Sequence, residues 1–162
     1  MIPITCQTGD IIEIDALMLR GATLDGMNLH RAVLEHLDMT GTSFVDADMR
    51  GALLTCSILK YANFERARLM NAVLDMANLE QAVLVEAKLI AAGLSEANLR
   101  GANLRGADVG FASFRGADIR GANMNCIRIA EADLEGVLVD EETVFPDGFV
   151  PRIGPGQIKR AN

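Results

Sequence analysis

Residues 97–110 read ANLRGANLRGADVG, and residues 111–125 carry the same beat onward as FASFRGADIRGANMN. A unit of five residues is too short to hold a helix and its partner, or a strand and its mate, so the chain must build by repetition. Laid out in fives, the register extends far beyond this stretch. The central residue falls at Ile14, Leu19, Leu24, Leu29 and every fifth position to Val139 and Val144, and all 27 centres are Leu, Ile, Val, Met or Phe with no slip of phase. Two residues ahead of the centre the side chain is Ala in 18 of the 27 units. A register held that long governs the fold.

Neither regular element fits it. A helix turns about 100° per residue, so a step of five would carry successive leucines about 140° around the axis and leave no apolar face. In a flat strand an odd period points them alternately to opposite sides. The chain must bend once per repeat, so that every centre and every preceding alanine point inward again. Glycine marks the bend: Gly21, Gly26, Gly41, Gly51, Gly101, Gly106, Gly116, Gly121 and Gly136 share the slot two residues after a centre. Such enrichment predicts a positive φ or a tight turn there. Proline, which has no N–H for a ladder, is absent from 4 to 145, as a continuously hydrogen-bonded backbone requires.

Units such as ANLRG, ADIRG, ANFER and ADLEG resemble the pentapeptide-repeat family, whose pattern is A(D/N)LxX, over about residues 12–146. The resemblance implies an all-β fold, a right-handed quadrilateral parallel β-helix. With 20 residues to a coil, as the 20-residue offsets Phe44/Phe64 and Leu17/Leu37 also indicate, this span makes about 6.75 coils stacked at about 4.8 Å. We read residues 1–146 as a single β-helix with its N-terminal cap, formed by the ITC and DIIEI segments, and 147–162 as a C-terminal cap and loosely ordered tail. The break in rhythm at TVFPDGF, 143–149, offers Phe145 and Phe149 as a lid over the open coil, where unpaired strand groups invite association.

The totals narrow the function. Aromatic residues make up 4% of the chain with no Trp, which fits a narrow interior. A net charge of −7 argues against direct binding to nucleic acid or an anionic membrane. The charge is uneven, with acidic ends and a net +3 over 97–130. Cys6, Cys56 and Cys126 are widely spaced, without the pattern of a disulfide framework or a zinc knuckle. The start lacks the features of a secretory signal, and no apolar run approaches a membrane span, so the expected location is the cytoplasm.

With aliphatic side chains filling the inward slots, chemistry belongs to the outer columns, where residues 20 apart stack. One column holds His36, Cys56, Met76 and Glu96, and the first three are candidate ligands for a soft metal; no other metal or cofactor is expected. His30 stands alone as a solvated histidine. Asn78 with Asn98, and Asn103 with Asn123, could form amide ladders between coils. A basic band combines Arg100 and Arg120 in one column, with Glu80 and Asp140 beyond them and Arg105 and Arg115 nearby; it either meets an acidic partner or is neutralised by its own carboxylates. Val33, Leu53 and Val73 occupy one column where the family has Asn or Asp, with Met70 and Ile90 on one flank and Met76 and Cys56 on the other. So many apolar side chains on one side form a patch that a monomer seldom leaves bare, and we read it as a partner or self-association surface.

No phosphate loop is present, since the glycines of RGANLRGADVG follow the repeat and lack the Lys–Ser/Thr of a P-loop. No nucleophile, base and carboxylate come together either. The sequence therefore predicts a non-enzymatic protein-binding scaffold that presents columns of side chains to another protein or to a second copy. The family resemblance implies an alternative, a quinolone-resistance type of protein that imitates DNA and engages DNA gyrase. Such members have a long acidic face and a C-terminal helix joining two rods. Here Pro151, Gly154, Pro155 and Gly156 oppose a helix, and the basic band interrupts an acidic strip.

Overall fold

A computed structural model describes residues 1–152. The chain opens with an antiparallel hairpin of β1 (Ile2–Thr5) and β2 (Ile11–Ile14), in which Ile2 faces Ile14 and Thr5 faces Ile11. From Leu19 onward the backbone coils with a 20-residue period, and the residue before each centre bridges in parallel to its counterpart one coil away. Four ladders result, which define four sides. Side 1 runs from Thr23 through Ser43 and Asn63 to Asn123, side 2 from Asn28 through Asp48 and Arg68 to Asp108, side 3 from Val33 through Leu53 and Val73 to Asp133, and side 4 from Asp38 through Ile58 and Asn78 to Leu138. Each coil lends a side only one bridging residue, so among the described residues the hairpin alone forms extended strands.

The repeat around Phe64 shows why the sequence takes this path. The N–H of Ala62 closes the turn on the carbonyl of Leu59 at 3.1 Å, while Asn63 donates back to Thr42 at 2.9 Å. Phe64 and Arg66 donate forward to Val83 and Val85 at 2.7 and 2.9 Å. The remaining donor, the N–H of Glu65, meets Oδ1 of Asn63 at 3.0 Å. All backbone donors of the unit are thereby satisfied, as burial between coils demands. The corner residue two after the centre takes a left-handed φ of 55–76° in every regular turn, whether Gly as at Gly101 or a side chain as at Gln81 and Phe111.

Inside, the centres from Leu29 to Leu104 and their alanine neighbours are essentially fully buried, and Phe44 stacks on Phe64 with ring centroids 4.8 Å apart. Where the small slot holds Thr42 or Ser57 instead of Ala, the buried hydroxyl donates to the carbonyl of Leu19 or Leu54. The ends are plugged by side chains: Ile4 and Ile14 of the hairpin are buried, and Phe145 and Phe149 pack on the core with centroids 5.6 Å apart. Most of the tail lies outside the described residues.

The register is less perfect than the sequence expects. Ile14 belongs to the hairpin rather than to a coil, and Leu17 is 98% exposed instead of stacking beneath Leu37. Leu37 occupies a slot that elsewhere holds alanine and is partly buried against the core. A second departure follows Met124. Ile127 would have to enter the small slot between neighbouring coils and is too large, so Cys126 drops into it and donates its thiol to the carbonyl of Leu104 at 3.4 Å. Ile127 then bridges Asp108 one residue early, and the spare residue is absorbed by a 3₁₀ turn at Ile129–Glu131 before Asp133 restores the phase. At the last turn the chain gains a residue: Val144, not residue 143, bridges Asn123 and is 50% exposed, and Phe145 turns toward the core in its place. The stacked ring pair is the densest aromatic point of the interior. Phe64→Ala should lower unfolding free energy by about 3–5 kcal/mol, measured by urea denaturation followed by circular dichroism.

Candidate functional site

Each outer column inherits its place from the ladder. Val33, Leu53 and Val73 bridge one another in consecutive coils and are half-buried. Their aliphatic side chains cannot cap a corner as Asn63 does, so the N–H groups of Glu35, Thr55 and Asp75 have no protein acceptor among the described residues. The column continues onto Gly93, where a Cβ would come within 2.9 Å of Asp75 Oδ1. That opening lets the Asp75 carboxylate accept from the N–H of Ser95 at 2.9 Å. Met70 and Ile90, half-buried, lie along the edge leading into side 3, and Met76, 57% exposed, lies on the edge leaving it. Sequence reasoning missed Phe111, 66% exposed on the same edge as Met70 and Ile90, at a left-handed corner of φ 59°. Its signal was present: an aromatic ring in a slot otherwise rich in glycine.

His36, Cys56, Met76 and Glu96 share one corner, each at a left-handed φ of 57–59°. Among the described residues no group of three or more His, Cys, Asp and Glu is arranged to hold a metal ion. Cys6 and Cys126 are buried, and burial pushes the Cys126 thiol up to about 12. His30, exposed, donates its own N–H to Asn28 Oδ1 at 3.2 Å.

The basic band divides. Arg100 and Arg120 share an edge, but Arg105 and Arg115 lie ten residues apart, half a coil, and therefore on opposite corners. Arg120 is held against Asp118, and Arg115 against Asp133 and Glu135. Arg100 and Arg105 make no ion pair with the described residues. The amide ladders also differ. Asn98 Nδ2 donates to Asn78 Oδ1 at 3.2 Å, whereas Asn103 and Asn123 each cap their own corner, on the N–H of Arg105 and Asn125.

Fixed cation–carboxylate pairs perturb two well-placed acids. Hydrogen bonds from the Arg50 guanidinium, at 2.6 and 2.7 Å, hold the Asp48 carboxyl below its usual range. Burial alone would raise Asp118, but the guanidinium and backbone N–H of Arg120 outweigh it and the net shift is downward.

Among the described residues no helix is long and apolar enough to cross a membrane. A family model described as pentapeptide repeats (8 copies) matches residues 19–55, 47–84, 82–121 and 97–136. The chain belongs to the pentapeptide-repeat family. A trypsin-treated variant of QnrB1, a plasmid-mediated fluoroquinolone resistance protein, is 16% identical over 92% of this chain and 86% of its own, with a TM-score of 0.64. The likeness is one of fold, the right-handed four-sided β-helix of the family. HetL, a pentapeptide repeat protein involved in heterocyst differentiation regulation from the cyanobacterium Nostoc sp. strain PCC 7120, is 29% identical over 75% of this chain and 70% of its own, with a TM-score of 0.49. No curated protein matches the chain.

Asp48 and Asp118 have folded-state values below the roughly 3.9 of an unfolded aspartate, so the stability they lend is present above about pH 4 and is lost as pH falls through the lower folded values. The urea midpoint should hold between about pH 7 and 5 and decline below about pH 4. An Asp48→Asn, Asp118→Asn variant should start lower and decline less steeply.

Proposed function

We propose that this pentapeptide-repeat protein is a non-catalytic protein-binding scaffold of the cytoplasm, a rigid four-sided rod on which side 3 is the working surface. The observation that carries this reading is the column Val33, Leu53 and Val73, bridged rung to rung where Asn or Asp would complete the corner. Each substitution gives up a backbone cap and places a branched side chain outward. An interior filled by its own side chains leaves no room for a substrate there, which favours recognition at the walls over chemistry within.

The test is a pull-down from the native organism with the wild-type chain beside a Leu53→Glu, Val73→Glu variant. Wild type should retain a protein, another chain or its own copies, that the variant loses at unchanged thermal stability. Equal capture by both would remove side 3 from the reading. The gyrase alternative has less support: the likeness to QnrB1 is one of fold, and arginines interleave with the acids on the outer corners. Excess protein should leave gyrase supercoiling, with and without a quinolone, unchanged; inhibition or protection would reverse the order of the two readings.

A further inference from the structure

Side 3 is self-complementary, and we propose that its partner is a second copy of this chain, packed face to face with the two rods parallel. The inference rests on the reading of side 3 as an interaction surface and deepens it by naming the occupant. Its rungs repeat at the spacing of hydrogen-bonded strands, about 4.8 Å. An α-helix, with a pitch of about 5.4 Å, falls out of step with a ladder of about 4.8 Å over several rungs, whereas a second copy of the same ladder has the same spacing.

The residues at the edges set the orientation. A twofold axis parallel to the rods places each bridging residue opposite itself and sets the entering edge of one copy against the leaving edge of the other. In the first coil Val33 meets Val33, and Arg31 meets Glu35, twice by symmetry. Neither Arg31 nor Glu35 makes an ion pair with the described residues of its own chain. Two coils on, Met70 faces Met76 and Asn71 faces Asp75; two coils further, the exposed ring of Phe111 faces Arg115, an arrangement suited to cation–π contact. On the last rung Asp133 faces Asp133 and Glu131 faces Glu135, a like-charge contact offset in part by Arg115, which each chain holds against its own Asp133 and Glu135.

The footprint bounds the strength. Five rungs span about 20 Å along the rod, and residues 31 to 35 about 13 Å across it, well below the roughly 800 Å² per partner of a standard stable interface. A footprint of this size makes the dimer a weak one.

Sedimentation equilibrium across the micromolar range tests it. Wild type should dimerise, and Leu53→Glu, Val73→Glu should not. Arg31→Glu and Glu35→Arg should each weaken the dimer about tenfold, since each replaces two attractive pairs by two repulsive ones. Both changes suit their slots: Glu86 and Glu96 occupy the left-handed corner that Arg31 holds, and Arg105 and Arg115 the position that Glu35 holds. Mixing the two single variants should restore association as a heterodimer, because all the Glu then lies on one chain and all the Arg on the other. The double variant Arg31→Glu, Glu35→Arg should likewise regain the wild-type constant. A wild type that stays monomeric, a dimer indifferent to the charge reversals, or a mixture that fails to associate would each overturn the proposal. If wild type is monomeric while the pull-down still captures a foreign protein only with intact Leu53 and Val73, the self-pairing falls and side 3 remains a partner surface.

Discussion

The structure depends on the repeat leaving no buried backbone donor unpaired. Of the donors in the unit around Phe64, those of the bridging residue, the centre and the corner reach neighbouring coils, the alanine N–H closes the turn, and the side chain of Asn63 takes the last. An unpaired donor between coils would cost about 1–3 kcal/mol, and the repetition would multiply that cost along the rod. The pattern A(D/N)LxX is therefore a hydrogen-bonding specification as much as a hydrophobic one: Ala allows close approach at the turn, Leu fills the interior, and Asn or Asp folds back on its own corner.

The corner imposes an opposing cost. Every regular turn needs a left-handed residue, and 13 of these corners carry a side chain rather than glycine. Left-handed backbone is unfavourable for L-residues by about 1–2 kcal/mol, so the ladders must hold each such corner in place. They can do so because each coil is bonded on both sides. At the chain's ends, where one side is missing, the repeat gives way to a hairpin and to a pair of phenylalanines, which supply apolar cover without needing a further coil.

Much of this was legible in the sequence because it rests on local slots. Leu, Ala and Gly positions predicted the inward centres, the close-packed turn and the positive φ. What was not legible required knowing which slot a side chain would refuse. The periodicity assigns Ile127 to an alanine slot and Leu17 to the first coil. Ile127 yields that slot to Cys126 and shifts the register, whereas Leu37 keeps its slot above a Leu17 that has turned out to solvent. The outer surface was harder still, since a column is a relation between coils. Taking Arg105 and Arg115 as neighbours overlooked that ten residues carry the chain to the opposite corner, and Phe111 was lost among glycines.

The four sides share one backbone, so what distinguishes them is where the hydrogen-bonding specification is relaxed. On side 1, Asn63, Asn103 and Asn123 cap their corners; on side 4, Asp38, Asn78, Asn98 and Asp118 do so, with Ile58 and Leu138 the interruptions. Side 3 gives up the cap at three successive rungs, Val33, Leu53 and Val73, leaving the donors of Glu35, Thr55 and Asp75 to solvent. Water satisfies those donors at little cost while the side is open, so a fold of this kind tolerates the exchange without losing its core. A surface can thus be made apolar rung by rung while the interior stays unchanged. The separation of an invariant inside from a free outside allows one repeat to carry unrelated recognition tasks, and it places the information about function in the columns rather than in the period.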